Sequence, residues 1–139
     1  MKRTVRRSDC PINYALEMFG DGWSLLVIRD LMFTERRTYS DFLNAEEGMA
    51  TNILASRLKK LQGDGLVRKT GTGRGARYAL TPKGLDLLPA MLELIAWSGK
   101  HDRFTGAPKG FLTRIQKDRG RVMAEFRSRL SQEYEIGNR

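Results

Sequence analysis

The side chains best suited to chemistry in this sequence are polar and basic groups gathered in one predicted helix. Thr51, Asn52 and Ser56 lie toward its start, and an asparagine can form a bidentate hydrogen-bonded pair with adenine. Basic side chains come after them at Arg57, Lys59 and Lys60. Such cations can pair with phosphates or with base edges. A lone amphipathic helix of this kind is more often simply solvated, so its interpretation as a recognition helix depends on the segment that comes after it.

That next segment is glycine-rich and basic. Four cations, Arg68, Lys69, Arg74 and Arg77, fall on one predicted strand–turn–strand. A flexible basic hairpin can lie along the backbone or in the minor groove of DNA, where arginine meets concentrated negative potential. The spacing Gly71-x-Gly73-x-Gly75 is a poor phosphate cradle, because a strand comes after it and the Gly-Lys-Ser/Thr ending is missing. From Arg57 to Lys83 there are eight basic residues and one acid, which favours binding to a polyanion.

The other reactive residue types do not assemble into a recognisable catalytic set. We find no paired carboxylates, no Ser/His/Asp set and no metal-ligand cluster, so no enzyme activity and no cofactor are expected. A Cys10–His101 pair is conceivable only through tertiary coincidence. Cys10 stands at a helix start beside a basic segment, where a thiolate is stabilised, and a buried, inert thiol is the alternative.

Composition agrees with a nucleic-acid partner without selecting one. The 139 residues include 25 basic and 16 acidic side chains, for a net charge of +9. This balance favours polyanions but does not separate DNA from RNA or an anionic membrane. No apolar run approaches the ~18–20 residues that cross a bilayer, and the basic start lacks a secretory signal. We therefore expect one compact body in the cytoplasm.

Helical spacing and punctuation indicate the elements that hold these residues. Pro11 opens a first helix, and an almost wholly apolar second helix begins after Trp23. Ser40 is expected to cap a short third helix, and the Thr51–Leu61 helix ends at Gly63-Asp64-Gly65.

Two short β-type runs come next, at 66–69 and 77–80, and they indicate a hairpin. Thr81-Pro82 then caps another helix, in which Pro89 should cause a kink or a new start. Beyond a linker at 105–110, apolar residues recur at helical spacing to the end. We expect this to be one helix with too few neighbours in its own chain.

The predicted fold class is mainly α with a small β-hairpin (α+β), a winged helix-turn-helix with extra N- and C-terminal dimerisation helices. We divide the chain into a mobile basic arm at 1–9, a winged-helix DNA-binding domain with dimerisation helices at 10–104, and a linker with a C-terminal helix at 105–139. Tyr39 is expected on the nucleic-acid surface, with Tyr78 as the other aromatic there. So few aromatics argue against stacking on single-stranded RNA.

Motifs from Cys10 to Trp97 together resemble the HxlR family of bacterial winged-helix transcriptional regulators. They are Cys10-Pro-Ile, Gly20-Asp-Gly-Trp-Ser-Leu-Leu-Val-Ile-Arg-Asp-Leu31, Arg37-x-Tyr-x-Asp-Phe42, Gly48-Met-Ala-Thr-Asn-Ile-Leu-Ala-x-Arg-Leu58, Gly65-Leu-Val67, Tyr78-x-Leu-Thr-x-x-Gly84 and Trp97. The sequence departs from the commoner pattern at Gly22, where lysine is frequent, and in a wing without the usual prolines.

The resemblance implies a homodimer that places two recognition helices in successive major grooves near its own gene. It assigns the dimer contacts to the N-terminal helix and to the helices after the wing. In some members a cysteine at the position of Cys10 senses oxidants or electrophiles. Function is thus expected to be sequence-specific binding of double-stranded DNA by a homodimeric repressor. The alternatives are a thiol-based sensor through Cys10 and a non-specific nucleic-acid-binding module, and the sequence indicates no small-molecule effector.

Overall fold

The computed structural model describes residues 6–137, in which two helices precede a helix-turn-helix pair. Helix α1 spans Pro11–Phe19 and α2 spans Ser24–Phe33. Residues 1–5 of the predicted arm lie outside the described residues. The remainder of that segment contacts α1, since Arg7 Nε donates to Asn13 Oδ1 at 2.9 Å.

The turn between α1 and α2 is organised by Asp21. Its carboxylate accepts hydrogen bonds from the backbone N–H of Trp23 and Ser24, both at 2.8 Å, and from the Ser24 hydroxyl at 2.6 Å. These bonds satisfy donors that the start of a helix leaves unpaired. Helix α2 then buries Val27, Ile28, Leu31 and Met32 in the core.

Helices α3 (Tyr39–Leu43) and α4 (Thr51–Gly63) form the helix-turn-helix. The prediction that Ser40 caps α3 was wrong. Thr38 is the cap, because Asp41 stands three positions later. The Thr38 hydroxyl accepts from the backbone N–H of Asp41, and the Asp41 carboxylate accepts from the backbone N–H of Thr38, which is a capping box. Helix α4 ends as predicted: Gly65 takes a φ of 77°, and the N–H of Leu66 donates to the carbonyl of Leu61 at 2.9 Å.

The predicted hairpin is confirmed, with β1 at Val67–Thr70 and β2 at Arg77–Leu80. The antiparallel register sets Val67 opposite Leu80 and Thr70 opposite Arg77. The connection contains a single 3₁₀ turn at Gly73–Gly75, and Gly71 and Gly73 adopt positive φ values. Glycine accommodates that backbone conformation without steric cost.

Two helices come after the hairpin, α5 at Pro82–Leu85 and α6 at Leu88–His101. The Thr81 hydroxyl caps α5 by accepting from Gly84 N at 3.1 Å. Pro89 lies in the first turn of α6, so the predicted disruption takes the form of a new helix start.

The C-terminal segment differs from the expected single, poorly packed helix. It forms α7 at Lys109–Lys117 and α8 at Arg119–Gly137, separated at Asp118, whose backbone leaves the helical conformation. Ile115, Val122 and Leu130 are buried in the same core as the helix-turn-helix. The rings of Phe33, Phe111 and Phe126 pack edge to face, with centroids 5.2–6.2 Å apart.

The expectation of too few neighbours was therefore wrong, because α8 folds back over β2 and α5. Among the described residues, no helix is both long and apolar enough to cross a membrane.

Candidate nucleic-acid interface

Helix α4 turns a polar face to solvent at its N-terminal half. Leu54, Leu58 and Leu61 are at most 2% exposed and anchor the opposite face in the core. The side chains predicted to contact DNA from this helix include four that are exposed, at Thr51, Asn52, Ser56 and Lys59. Because the buried leucines hold the helix at one rotation, these four side chains are presented together.

Tyr39 ties the two helices of the pair together. Its hydroxyl donates a hydrogen bond of 2.8 Å to the backbone carbonyl of Thr51, at the first turn of α4. The ring is half-buried and packs against the hydrophobic core. Tyr39 was predicted to contact DNA, and the structure gives it an internal contact that positions the start of α4.

Lys60 joins α4 to the end of α1. Its Nζ donates to the carbonyls of Glu17 at 2.9 Å and Met18 at 3.3 Å, and it pairs with Asp64 at 2.6 Å. Carbonyls at a helix C-terminus carry partial negative charge and lack partners, so a lysine there is stabilising. Lys60 therefore binds within its own chain in this structure.

Arg57 is held in a similar way, by the turn before α2. Its Nε lies 3.2 Å from a carboxylate oxygen of Asp21. Partial burial acts to raise the pKa of Asp21, but hydrogen bonds from Ser24 and Trp23, together with the charge of Arg57, lower that pKa overall. The carboxylate thus stays ionised, holding α2 and α4 at the same point.

The wing presents its cations on two different sides. Lys69, Arg74 and Arg77 are exposed. Arg68 instead lies under α8, where its Nη2 donates to the Tyr134 carbonyl at 2.6 Å and its guanidinium stands 4.1 Å from the centre of the Tyr134 ring. The sequence placed these four cations in one cluster. In the structure three of them face solvent, and the fourth is covered by the C-terminal helix.

A groove of about 520 Å³ separates α3 from the hairpin. Lys69 and Arg74 line one side, and Tyr39 and Ser40 line the other. Ser40 was not predicted at this surface. The only feature of the sequence that could have indicated it is its position next to Tyr39. Tyr78, expected as an exposed aromatic, is 7% exposed and packs 5.9 Å from the Phe42 ring, because it points into the core face of the hairpin.

Two helices away from this surface carry exposed apolar side chains. On α1 these are Ile12, Tyr14 and Leu16, and on α6 they are Leu94 and Trp97. Ile12 is 68% exposed and Trp97 is 65% exposed. Large apolar side chains concentrated on one or two helices are typical of a protein–protein contact.

The thiol of Cys10 is exposed at the residue before α1. In this protomer the thiol is therefore not buried, contrary to the second of the two alternatives. Among residues 6–137, no group of three or more His, Cys, Asp or Glu side chains is placed to hold a metal ion.

The capping box of α3 leads to a pH prediction. Hydrogen bonds from the backbone N–H of Arg37 and Thr38, at 2.9 and 3.1 Å, lower the pKa of Asp41. A carboxyl whose pKa is lower in the folded chain stabilises the fold above its unfolded pKa of ~3.9, and loses that contribution as pH falls through the folded value. We expect Asp41→Asn to lower the free energy of unfolding by about 1 kcal/mol at pH 7.

Urea denaturation at several pH values tests this expectation. The difference between Asp41→Asn and the parent should shrink as pH falls below ~4, and disappear once the carboxylate of the folded parent, whose pKa is lowered, is also protonated. Asp86→Asn, whose side chain is 75% exposed, serves as the control. A difference for Asp41→Asn that stayed constant across the acid range would contradict the role of the ionised carboxylate.

Comparison with known proteins agrees with this arrangement. A family model described as HxlR-like helix-turn-helix matches residues 18–104. An HTH-type transcriptional regulator of Synechocystis sp. is 30% identical over 88 residues, which cover 61% of this chain and 64% of that protein. The aligned part of the chain thus spans less than two thirds of that relative.

Two solved structures are similar in fold. PA1607, described as a candidate transcription factor, matches with a TM-score of 0.63 and 31% identity, covering 73% of this chain and 72% of that one. Quinone-bound YodB of Bacillus subtilis matches with a TM-score of 0.55 and 28% identity, covering 66% of this chain and 99% of that one. With a family model that spans most of the chain and a helix-turn-helix whose polar face is exposed, this protein belongs to the HxlR-like helix-turn-helix family of DNA-binding transcriptional regulators.

Proposed function

We propose that the protein is a homodimeric repressor that reads a specific site on double-stranded DNA with α4 in the major groove. The observation that carries the proposal is the outward row of Thr51, Asn52 and Ser56 on a helix fixed by internal contacts. A recognition helix needs side chains that reach base edges and a rigid mount that sets their angle. Tyr39 and Lys60 provide that mount at the two ends of α4.

The basic residues divide into two roles in this proposal. Lys59, Lys69, Arg74 and Arg77 are exposed and would contact phosphates or the minor groove. Arg57 and Lys60, predicted from sequence as DNA contacts, are assigned to positioning α4, because Arg57 forms an ion pair with Asp21 and Lys60 donates to acceptors in its own chain. Phosphate contacts give affinity and salt dependence, whereas the polar face of α4 would give specificity.

We assign the dimer contact to the exposed apolar faces of α1 and α6. The prediction from sequence also included the C-terminal helix. Its main apolar residues, Val122 and Leu130, are buried within the same protomer, so α8 has little left to offer a partner. A dimer of this kind would present two α4 helices about one turn of DNA apart, ~34 Å. Such a dimer would repress by occupying promoter DNA in the cytoplasm, within the bacterial nucleoid.

Asn52→Ala tests the proposal. If Asn52 reads a base, its loss should weaken binding to the cognate site about tenfold, equivalent to ~1.4 kcal/mol, and leave binding to a scrambled duplex unchanged. Fluorescence anisotropy across a salt series, on DNA from upstream of the protein's own gene, gives both affinities.

Arg74→Ala is the matched comparison from the wing. It should weaken both duplexes alike and reduce the salt slope by about one. Parent protein that binds cognate and scrambled DNA equally would instead support the alternative of a non-specific nucleic-acid-binding module.

A second candidate function is thiol sensing through Cys10. It is favoured by the exposure of the thiol at the start of α1, the helix whose end Lys60 connects to α4. The similarity to a quinone-bound regulator is consistent with electrophile chemistry at some site in this fold. Loss of operator binding after treatment with a quinone, abolished by Cys10→Ser, would support this role. Equal inhibition of the Cys10→Ser variant would exclude it.

A further inference from the structure

A cavity of about 490 Å³ opens between the wing and the C-terminal end of α8, away from the polar face of α4. Its volume lies in the range of ~300–1,000 Å³ usual for small-molecule sites. The hairpin contributes Arg68, Thr70 and Arg77, and α8 contributes Glu133 and Ile136. Thr70 and Arg77 are directly paired across the strands, so their side chains project from the same face into this space.

Arg68 is incompletely satisfied by the protein. Its Nη2 has the Tyr134 carbonyl, but Nε and Nη1 are buried and have no hydrogen-bond partner among the described residues. A buried donor on a charged group is costly to leave unpaired. Arg68 also lines the cavity, and a turn of its guanidinium toward that space would bring these donors to an acceptor bound there.

The charged side chains around the cavity indicate the charge of the ligand that it would bind. Arg37 and Glu133 form a two-bond ion pair with each other, so they largely cancel. The remaining charged side chains are Arg68 and Arg77 against Glu35, which leaves one positive charge. One excess positive charge is matched by a single carboxylate, whereas a polyphosphate would bring more negative charge than it can balance.

Two apolar side chains also line the cavity. Ile136, which is 67% exposed, comes from α8, and Ala79 lies on the hairpin directly across the strands from Arg68. A site with a few convergent polar groups beside an apolar wall is typical for a small amphiphilic ligand. We propose that this cavity binds a small organic monocarboxylate, with the carboxylate between Arg68 and Arg77 and the hydrocarbon part against Ile136.

The end of α8 closes tightly over this site. A Cβ on Gly137 would lie 2.4 Å from Arg68 Nη2, so a larger residue there would make the guanidinium shift. The ligand would therefore touch both the wing and the last turn of α8. Binding would join two elements of one chain and occupy Arg77, a wing cation that the proposed function assigns to DNA.

Titration of the full chain with sodium hexanoate, monitored by NMR at constant ionic strength, tests the site without DNA. We expect saturable shifts at Thr70, Arg77 and Ile136, and about tenfold weaker binding in Arg77→Gln. Arg74→Gln removes a cation from the same hairpin but lies on the other groove, so it should change hexanoate affinity less than about twofold. Hexanamide, which has the same hydrocarbon chain and no charge, should not bind.

Several results would overturn the proposal. These are the absence of saturable shifts, equal losses in Arg77→Gln and Arg74→Gln, or equal binding of hexanamide. Each would mean that solvent or general charge attraction satisfies Arg68. Because the readout is ligand binding to the free protein, this outcome is distinct from a failure of the proposed DNA recognition.

Discussion

Trp97→Glu should convert the proposed dimer into a monomer and lower its affinity for the operator at least ~100-fold. The indole is 65% exposed on α6 and belongs to the apolar faces assigned to the partner contact. Burying a glutamate in such a contact leaves a desolvated charge without a partner. A monomer holds one half-site only and loses the ~10²–10⁴-fold gain that comes from linking two binding modules.

Ser128→Glu is the control for Trp97→Glu. It adds the same charge at an exposed position of α8, on a helix outside the proposed dimer contact and outside the cavity. Light scattering should show that only the Trp97 variant becomes monomeric, and anisotropy should show that only this variant loses operator affinity. A dimeric Trp97→Glu protein with unchanged affinity would remove α6 from the proposed interface.

Arg37→Met should lower the free energy of unfolding by about 3 kcal/mol, which is large beside the ~5–15 kcal/mol of a typical domain. The Arg37 side chain is only 6% exposed and forms an ion pair with Glu133. It also donates to the carbonyls of Asp30, Thr34 and Arg36, at 2.6–3.2 Å. Methionine keeps much of the volume but removes the guanidinium donors to Glu133 and to the carbonyls of Thr34 and Arg36.

Urea denaturation of Arg37→Met, compared with Arg127→Met, measures this effect. Arg127 pairs with Asp86 across the surface, with side chains 41% and 75% exposed, and pairs of this kind contribute at most ~1 kcal/mol. Amide exchange should also quicken in α8 of the Arg37 variant, since the Glu133 contact holds that helix to the turn before α3. Equal stability of the two variants would show that solvent replaces the buried contacts.

Local signals in the sequence were sufficient for most of the winged-helix elements. Glycine and proline positions delimit α4, the hairpin and α5, and the β-type runs fall within one residue of β1 and β2. These features depend on residues that are close in the chain, so the hydrophobic periodicity and the capping residues are enough to predict them. The exposed face of α4 could be predicted from the same periodicity.

The contacts that assign roles to the basic residues could not be predicted in this way, because they join residues that are far apart in the sequence. Lys60 meets α1 across 43 residues, and Arg68 meets Tyr134 across 66. Periodicity shows which face of a helix is polar but not which polar side chain another element will cover. The break at Asp118 was missed for a related reason, because the apolar spacing on either side fits one helix or two.

The hydrogen bonds from Lys60 to the end of α1 attach α4 to that helix. In a dimer built on α1, any tilt of that helix would carry α4 with it. The contact between the subunits would then set the distance and the relative rotation of the two α4 helices along the DNA. Operators for related proteins could diverge in the spacing between their halves through substitutions on α1 alone, without a change in any residue that faces a base.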